Sequence, residues 1–138
     1  MDEVKLTFPI YFPSGCPPED ATIDEVKVYR LCRNEHNITE DDFKSYYICD
    51  PVKYENCINA YGLSVLIDIP SVKAILNKNA FMKRKYDGCS CGITYKYTGK
   101  IKNTPAESVE GHYTWWICEN VYPDKYFKIC SIEGVEIK

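Results

Sequence analysis

The C-terminal half of the chain centres on one segment, Gly111-His112-Tyr113-Thr114-Trp115-Trp116, which holds both tryptophans and one of the two histidines. As a β-strand it would alternate its side chains between the two faces of a sheet. His112, Thr114 and Trp116 would share one face. Tyr113 and Trp115, with Ile117, would share the other. One face can then pack a core while the other presents polar and aromatic groups, so this segment is the first place to look for a site.

Strand patterns extend outward from this segment in both directions. Alternation and an abundance of Thr, Tyr and Ile predict strands at Cys89–Tyr97, His112–Cys118 and Tyr126–Ile132, with a short tail at Val135–Ile137. Upstream, Glu25–Leu31 alternates and Leu63–Ile67 is a compact apolar run of strand length. Arg30 stands on the valine-bearing face of the first of these, which is unexpected for a purely structural residue.

Two segments carry helix signals. Thr39 precedes an acidic turn and predicts a short helix that runs to about Tyr47 and ends at Asp50-Pro51. A second helix is predicted to open at Pro70-Ser71, with Asp68 or Ser71 near its cap, and to finish before Asp87-Gly88.

These elements predict one α+β domain spanning residues 1–138, with a mixed or mostly antiparallel sheet, two short helices and a β-rich C-terminal half. Residues 1–24 are punctuated by Pro and Gly and are expected to form an irregular segment packed on the domain. The predicted core comprises Leu63, Val65 and Ile67 of one strand and Val72, Ile75 and Leu76 of the second helix.

Composition excludes several classes of function. The net charge of −3, from 17 basic and 20 acidic residues, argues against a nucleic-acid binder, which usually has a basic footprint. No apolar stretch approaches the length of a membrane span, so no membrane association is expected. Phosphate-binding and dinucleotide glycine motifs are absent from the sequence.

The eight cysteines raise the question of disulfides. The start Met1–Lys5 lacks the pattern of a signal peptide, and several cysteines lie in apolar strand-like runs where free cysteine behaves as a small hydrophobe. We therefore expect reduced thiols and a cytoplasmic location. A mature secreted chain without its leader is the alternative.

Cysteine also raises the possibility of metal binding or thiol catalysis. Cys89 and Cys91 form the one closely spaced pair in the sequence and would face the same side of a strand, which gives a zinc-stabilised β module as one alternative. No C-x-x-C pair exists, so no metal and no cofactor is expected. A thiol nucleophile would need His112 as its base, because His36 lies in a polar loop.

A third arrangement involves polar residues on three predicted strands. Arg30, Ser64 and His112 are the candidate catalytic residues, and Tyr113, Thr114 and Trp115 are the candidate ligand-binding residues. Arginine can hold a diphosphate, a hydroxyl can bond a ribose, and an aromatic face can stack on a base. The strand-borne Arg30 and Ser64 resemble those of the ADP-ribosyltransferase superfamily. The resemblance implies a nucleotide-handling enzyme, for which Glu107 and Glu110 are the nearest candidates for the acidic loop.

The leading functional hypothesis is a small intracellular protein-interaction domain. The acidic balance, short length and lack of a catalytic motif resemble, in general character, the inhibitor and immunity proteins of bacterial toxin systems. Twelve tyrosines and two tryptophans supply the residues that interfaces favour. A protein partner is therefore expected, with a nucleotide-like ligand as the alternative.

Overall fold

The computed structural model describes residues 6–34, 36–78, 80–95, 97–106 and 109–130. Within these residues, six strands form one antiparallel sheet. The strands are Lys27–Cys32 (β1), Leu63–Leu66 (β2), Gly88–Ile93 (β3), Gly99–Asn103 (β4), His112–Ile117 (β5) and Lys128–Cys130 (β6). Their order across the sheet is β4-β5-β2-β1-β3-β6. The predicted α+β class with a mostly antiparallel sheet is confirmed.

The helices are short and lie mainly between β1 and β3. They are Tyr46–Cys49 (α1), Pro51–Tyr54 (α2), Ile69–Lys78 (α3) and Ala80–Lys85 (α4), with 3-10 turns at Glu40–Phe43, Ile58–Tyr61 and Pro123–Lys125. Among the described residues, no helix combines the length and the apolar character needed to cross a membrane.

The first predicted helix is wrong in form, because the segment after Thr39 breaks into several short turns. A 3-10 turn covers Glu40–Phe43, and α1 begins afresh behind Ser45, whose Oγ accepts from the Ile48 amide. Asp50-Pro51 does not simply end a helix. Asp50 caps α2 by accepting from the Lys53 amide at 3.3 Å, and proline fits the first helical position because it has no amide hydrogen to satisfy there.

The second predicted helix appears as two, α3 and α4. Asp68 caps α3 by accepting from the Ser71 amide at 2.8 Å, as one of the two predicted caps. Strand β4 was not predicted, since Thr98-Gly99 indicated only a turn. Its Ile101 is buried and pairs with Trp115, so a single apolar residue between two lysines is enough to fix its register.

The sheet has a hydrophobic cluster on each face. Helix α3 packs Val72, Ile75 and Leu76 against Tyr29 and Leu66 on one face. On the other face Trp115 contacts a cluster formed by Val28, Leu63, Val65, Ile101 and Phe127. Of the predicted core residues, Ile67 is half-buried and the other five are buried.

The N-terminal segment covers one end of the sheet. Thr22 exchanges two backbone hydrogen bonds with Ile101, which pairs the free edge of β4 at that point. Tyr11 and Phe12 contact the ring of Tyr61, which itself stacks on Tyr47 with centroids 4.1 Å apart. These contacts fasten the segment to α1 and to the Ile58–Tyr61 turn. The predicted tail at 135–137, and the end of the predicted strand at 131–132, lie outside the described residues.

Truncation of Leu76 tests the packing of α3 on the sheet. Leu76→Ala should lower the free energy of unfolding by about 2–5 kcal/mol, because it removes buried methyl groups and leaves a cavity. Chemical denaturation measures this change. Lys73→Ala, on the exposed side of the same helix, is the matched control and should change stability little. Equal effects of the two changes would contradict the assigned helix face.

Candidate functional site

A cavity of about 540 Å³ opens where β1 and β2 separate. Among the described residues these two strands share one register pair, Tyr29 with Leu66, whereas β1 and β3 pair over six positions. Past Tyr29 the space between the strands is bordered by Arg30 and Leu31 on one side and by Ser64 on the other. The cavity volume falls within the usual range for small-molecule sites.

Four strands, three α-helices, one 3-10 turn and two loops contribute to the cavity wall. The wall contains three basic side chains, six hydroxyl groups and several aliphatic side chains. No Asp or Glu is among the described residues that line it. The lining consists of Arg30, Leu31, Tyr46, Tyr54, Cys57, Asn59, Ala60, Ser64, Leu66, Ile75, Tyr86, Lys102, Asn103, Thr104, Pro105, Ala106, His112 and Thr114. Four of the six predicted site residues therefore meet at one cavity: Arg30, Ser64, His112 and Thr114.

Arg30 is held by backbone carbonyls. Its Nε donates to the Asp42 carbonyl at 2.7 Å, its Nη1 to the Ser64 carbonyl at 2.8 Å and its Nη2 to the Lys44 carbonyl at 3.4 Å. No carboxylate among the described residues forms a salt bridge with it. A guanidinium has five N–H groups, so these three bonds leave two N–H groups without a hydrogen-bond partner among the described residues. The buried carboxylate of Asp42 accepts from the backbone amides of Arg33 and Thr39 instead of from Arg30.

Ser64 contributes in two ways. Its carbonyl anchors Arg30, and its side chain lines the cavity opposite Thr114, with which it forms a register pair between β2 and β5. Ser64 is the one polar residue in an otherwise apolar strand. Because its side chain lines the cavity and is not packed in the core, an apolar side chain is not required there.

His112 is oriented by the loop that follows β4. Its Nδ1 lies 2.6 Å from the Thr104 carbonyl oxygen, and the Thr104 hydroxyl lies 2.7 Å from that of Thr114. A carbonyl can only accept, so Nδ1 carries the hydrogen and Nε2 carries the lone pair of the neutral ring. His112 is thus fixed in the tautomer that presents Nε2 as an acceptor or a base.

The surroundings of His112 favour its neutral form. Burial lowers its pKa from the ordinary 6.5, and the positive charge of Arg30 lowers it further, while the hydrogen bond to the Thr104 carbonyl acts in the opposite direction. The imidazole is therefore an uncharged polar group beside a fixed cation at neutral pH.

Lys102 is the second cation of the wall. Its Nζ lies 2.8 Å from an Asp20 carboxylate oxygen, and both side chains are substantially exposed. Such a pair leaves the lysine free to turn toward a ligand at small cost. Arg30 is therefore the fixed charge of the site and Lys102 an adjustable one.

Tyr113 and Trp115 lie on the opposite face of the sheet from the cavity. Trp115 is fully buried, and its ring stacks on Phe127 at 5.8 Å. The strand alternation that places Thr114 at the cavity places its two neighbours away from it. A ligand in the cavity reaches Thr114 but not these two aromatic residues.

Sequence reasoning missed the aromatic residues that do line the cavity, namely Tyr46, Tyr54 and Tyr86. The rings of Tyr46 and Tyr54 lie 5.5 Å apart and tilted by 35°. For Tyr46 and Tyr54 the available signal was the density of tyrosines between residues 46 and 61, and no comparable signal marks Tyr86.

The remaining candidates lie apart from the cavity. Cys89 and Cys91 are buried in the cluster beneath α3, and among the described residues no group of three His, Cys, Asp or Glu side chains could hold a metal ion. Exposed His36 does not line the cavity. Glu110 is exposed and offers its carbonyl to Asn103, while Glu107 lies outside the described residues.

Comparison of the chain with family models, with curated proteins and with solved structures finds no match. The resemblance to the ADP-ribosyltransferase superfamily thus gains no support from these comparisons, and the site must be interpreted from its own chemistry.

The pKa of His112 tests the geometry of the site. A proton NMR titration, assigned with His112→Gln, should give a pKa below 6.5 because burial and Arg30 disfavour the imidazolium. Because the unfolded chain then binds the extra proton more readily, the contribution of His112 to stability is complete above pH 6.5 and is lost as the pH falls through the folded-state pKa. A pKa above 6.5 would contradict the arrangement described.

Proposed function

We propose that the protein binds a nucleotide-like ligand in the cavity between β1 and β2, with a phosphate group at Arg30 and a planar ring at the tyrosines. The observation that carries the proposal is the charge of Arg30. Three backbone carbonyls orient its guanidinium, and it lines a cavity that has no acidic lining residue among those described. A bound anion would give Arg30 a direct ion-pair partner.

The geometry of Arg30 supports an oxyanion as the ligand group. Its three carbonyl partners fix the plane of the guanidinium, so its remaining N–H groups are already oriented when a ligand arrives. Hydrogen bonds between guanidinium and phosphate are charge-assisted and can be bidentate. Lys102 adds a second positive charge on the same wall.

The hydroxyl groups support a sugar next to the phosphate. Ser64, Thr104 and Thr114 all line the cavity, and each can both donate and accept. The lone pair of His112 on Nε2 can accept from a ligand hydroxyl, since Nδ1 is committed to the Thr104 carbonyl. This set matches the alternating donors and acceptors of a ribose.

The tyrosines support a planar ring as the third part of the ligand. Tyr46 is exposed, and Tyr54 and Tyr86 are half-buried, so the aromatic wall lies toward solvent. Aromatic side chains bind planar rings by stacking, and Tyr46 and Tyr54, whose rings lie 5.5 Å apart, both line this wall.

The other functional hypotheses stay predictions. The protein-interaction domain, with its likeness to bacterial inhibitor and immunity proteins, rests on composition. A transfer reaction of the ADP-ribosyltransferase kind needs acidic residues at the site, and the described Glu110 does not line the cavity. The proposal therefore concerns ligand binding and assigns no reaction.

Calorimetric titration with ADP, with adenosine and with inorganic phosphate tests the proposal. ADP should bind, and adenosine should bind at least about tenfold more weakly, because a charge-assisted contact to Arg30 is worth more than about 1.4 kcal/mol. Raised salt should weaken the binding of ADP and leave that of adenosine unchanged. Equal affinity for ADP and adenosine, or no binding of either, would contradict the proposal.

Two lysines on β4 provide a matched pair of variants. Lys102 lines the cavity, whereas Lys100, on the same face of the same strand, does not. Lys102→Gln should weaken ADP binding about threefold, the equivalent of about 0.6 kcal/mol for a partly exposed charge, and Lys100→Gln should leave it unchanged. Equal losses would show that general surface charge, and not the cavity, attracts the ligand.

A further inference from the structure

Cys89 and Cys130 face each other directly across the β3–β6 pair. They occupy the same register position in adjacent antiparallel strands and belong to the same buried cluster beneath α3. Residues directly opposite in an antiparallel pair have Cα atoms about 4.5–5.5 Å apart, which lies inside the range that a disulfide requires. Contact with the Cys130 thiol, together with burial, raises the pKa of Cys89 far above its ordinary value. None of the eight cysteines, all within the described residues, is in a disulfide.

The neighbouring cysteines are less well placed to bond with either member of this pair. Cys91 lies opposite Lys128 and is therefore diagonal to Cys130, a relation in which side chains are about 7–8 Å apart. Cys32 pairs with Gly88, and its side chain lies on the other face of the sheet, where its thiol donates to the Arg30 carbonyl at 3.5 Å. The register thus selects one pair among the four buried cysteines of this region.

We infer that Cys89 and Cys130 form an intramolecular disulfide when the protein meets a small disulfide such as oxidised glutathione, and that this bond fastens β6 to the sheet. The thiolate of one cysteine attacks a glutathione sulfur, giving a mixed disulfide and one reduced glutathione. The second cysteine loses its proton and attacks the protein-bound sulfur, which releases the second reduced glutathione. Two protein thiols are oxidised and one glutathione disulfide is reduced.

The position of β6 explains how a buried pair becomes reachable. Among the described residues β6 lies at the edge of the sheet and pairs with β3 alone. An edge strand opens locally at a lower free energy than a central one. While β6 is paired with β3, burial and the low thiolate fraction protect the two cysteines from reaction. When β6 opens, both thiols can react. The inference is independent of ligand binding in the cavity on the other side of β1.

Disulfide mapping of the full chain tests the inference. The protein is incubated with oxidised glutathione, both in its native state and through a cycle of unfolding and refolding, so that access does not limit the outcome. Free thiols are alkylated and the tryptic peptides are identified by mass spectrometry. Peptide 86–96 contains both Cys89 and Cys91, so the same mapping is done on Cys91→Ala and on Cys89→Ala.

The expected result is a cross-link between peptide 86–96 and the peptide that holds Cys130, retained in Cys91→Ala and lost in Cys89→Ala. The cross-linked protein should also melt at a higher temperature than the reduced protein, and a reductant should reverse the shift. Glutathione found only on the exposed Cys49 and Cys57, or a cross-link that survives in Cys89→Ala, would overturn the inference.

Discussion

The hydrogen bonding of Arg30 is the constraint on which the arrangement of the site depends. One guanidinium joins the carbonyls of three separate segments: Ser64 in β2, Asp42 in a 3-10 turn and Lys44 before α1. β1 and β2 are therefore linked through a side chain at a point where their backbones have separated. The gap that results is the cavity, and the segment containing α1 and α2 forms its outer wall because Arg30 holds the start of that segment in place.

The hydrogen bonding of Arg30 leaves a positive charge that has no ion-pair partner among the described residues. Carbonyl dipoles orient a guanidinium but form no ion pair with it, and no carboxylate lines the cavity among the described residues. His112 favours its neutral form, chiefly because the imidazole is buried and to a smaller extent because Arg30 is positively charged, and both effects lower its pKa. The anion that we propose as the ligand would stabilise the folded protein by mass action, because it would bind the native state and not the unfolded chain.

The sequence predicted the strands and the polar residues of the site better than it predicted the walls around them. Arg30, Ser64, His112 and Thr114 stood out because each is a polar residue in a strand pattern, and strand alternation is a local property. The tyrosines at positions 46, 54 and 86 gave no such signal, since their meeting depends on contacts between segments distant in the chain. β4 was missed for a similar reason: its one buried apolar side chain, Ile101, is defined by pairing with Trp115 across the sheet.

Alternation along β5 also divides the roles of its aromatic and polar residues. Thr114 and His112 face the cavity, while Trp115 between Thr114 and Trp116 fills the core cluster on the far side. Trp116 shares the face of Thr114 but donates its indole N–H to the Ile58 carbonyl and packs under the N-terminal segment. Both tryptophans thus stabilise the sheet from opposite faces. The segment that first suggested a site is thus a strand that its two tryptophans anchor in the core, and its polar chemistry comes from His112 and Thr114, which precede them.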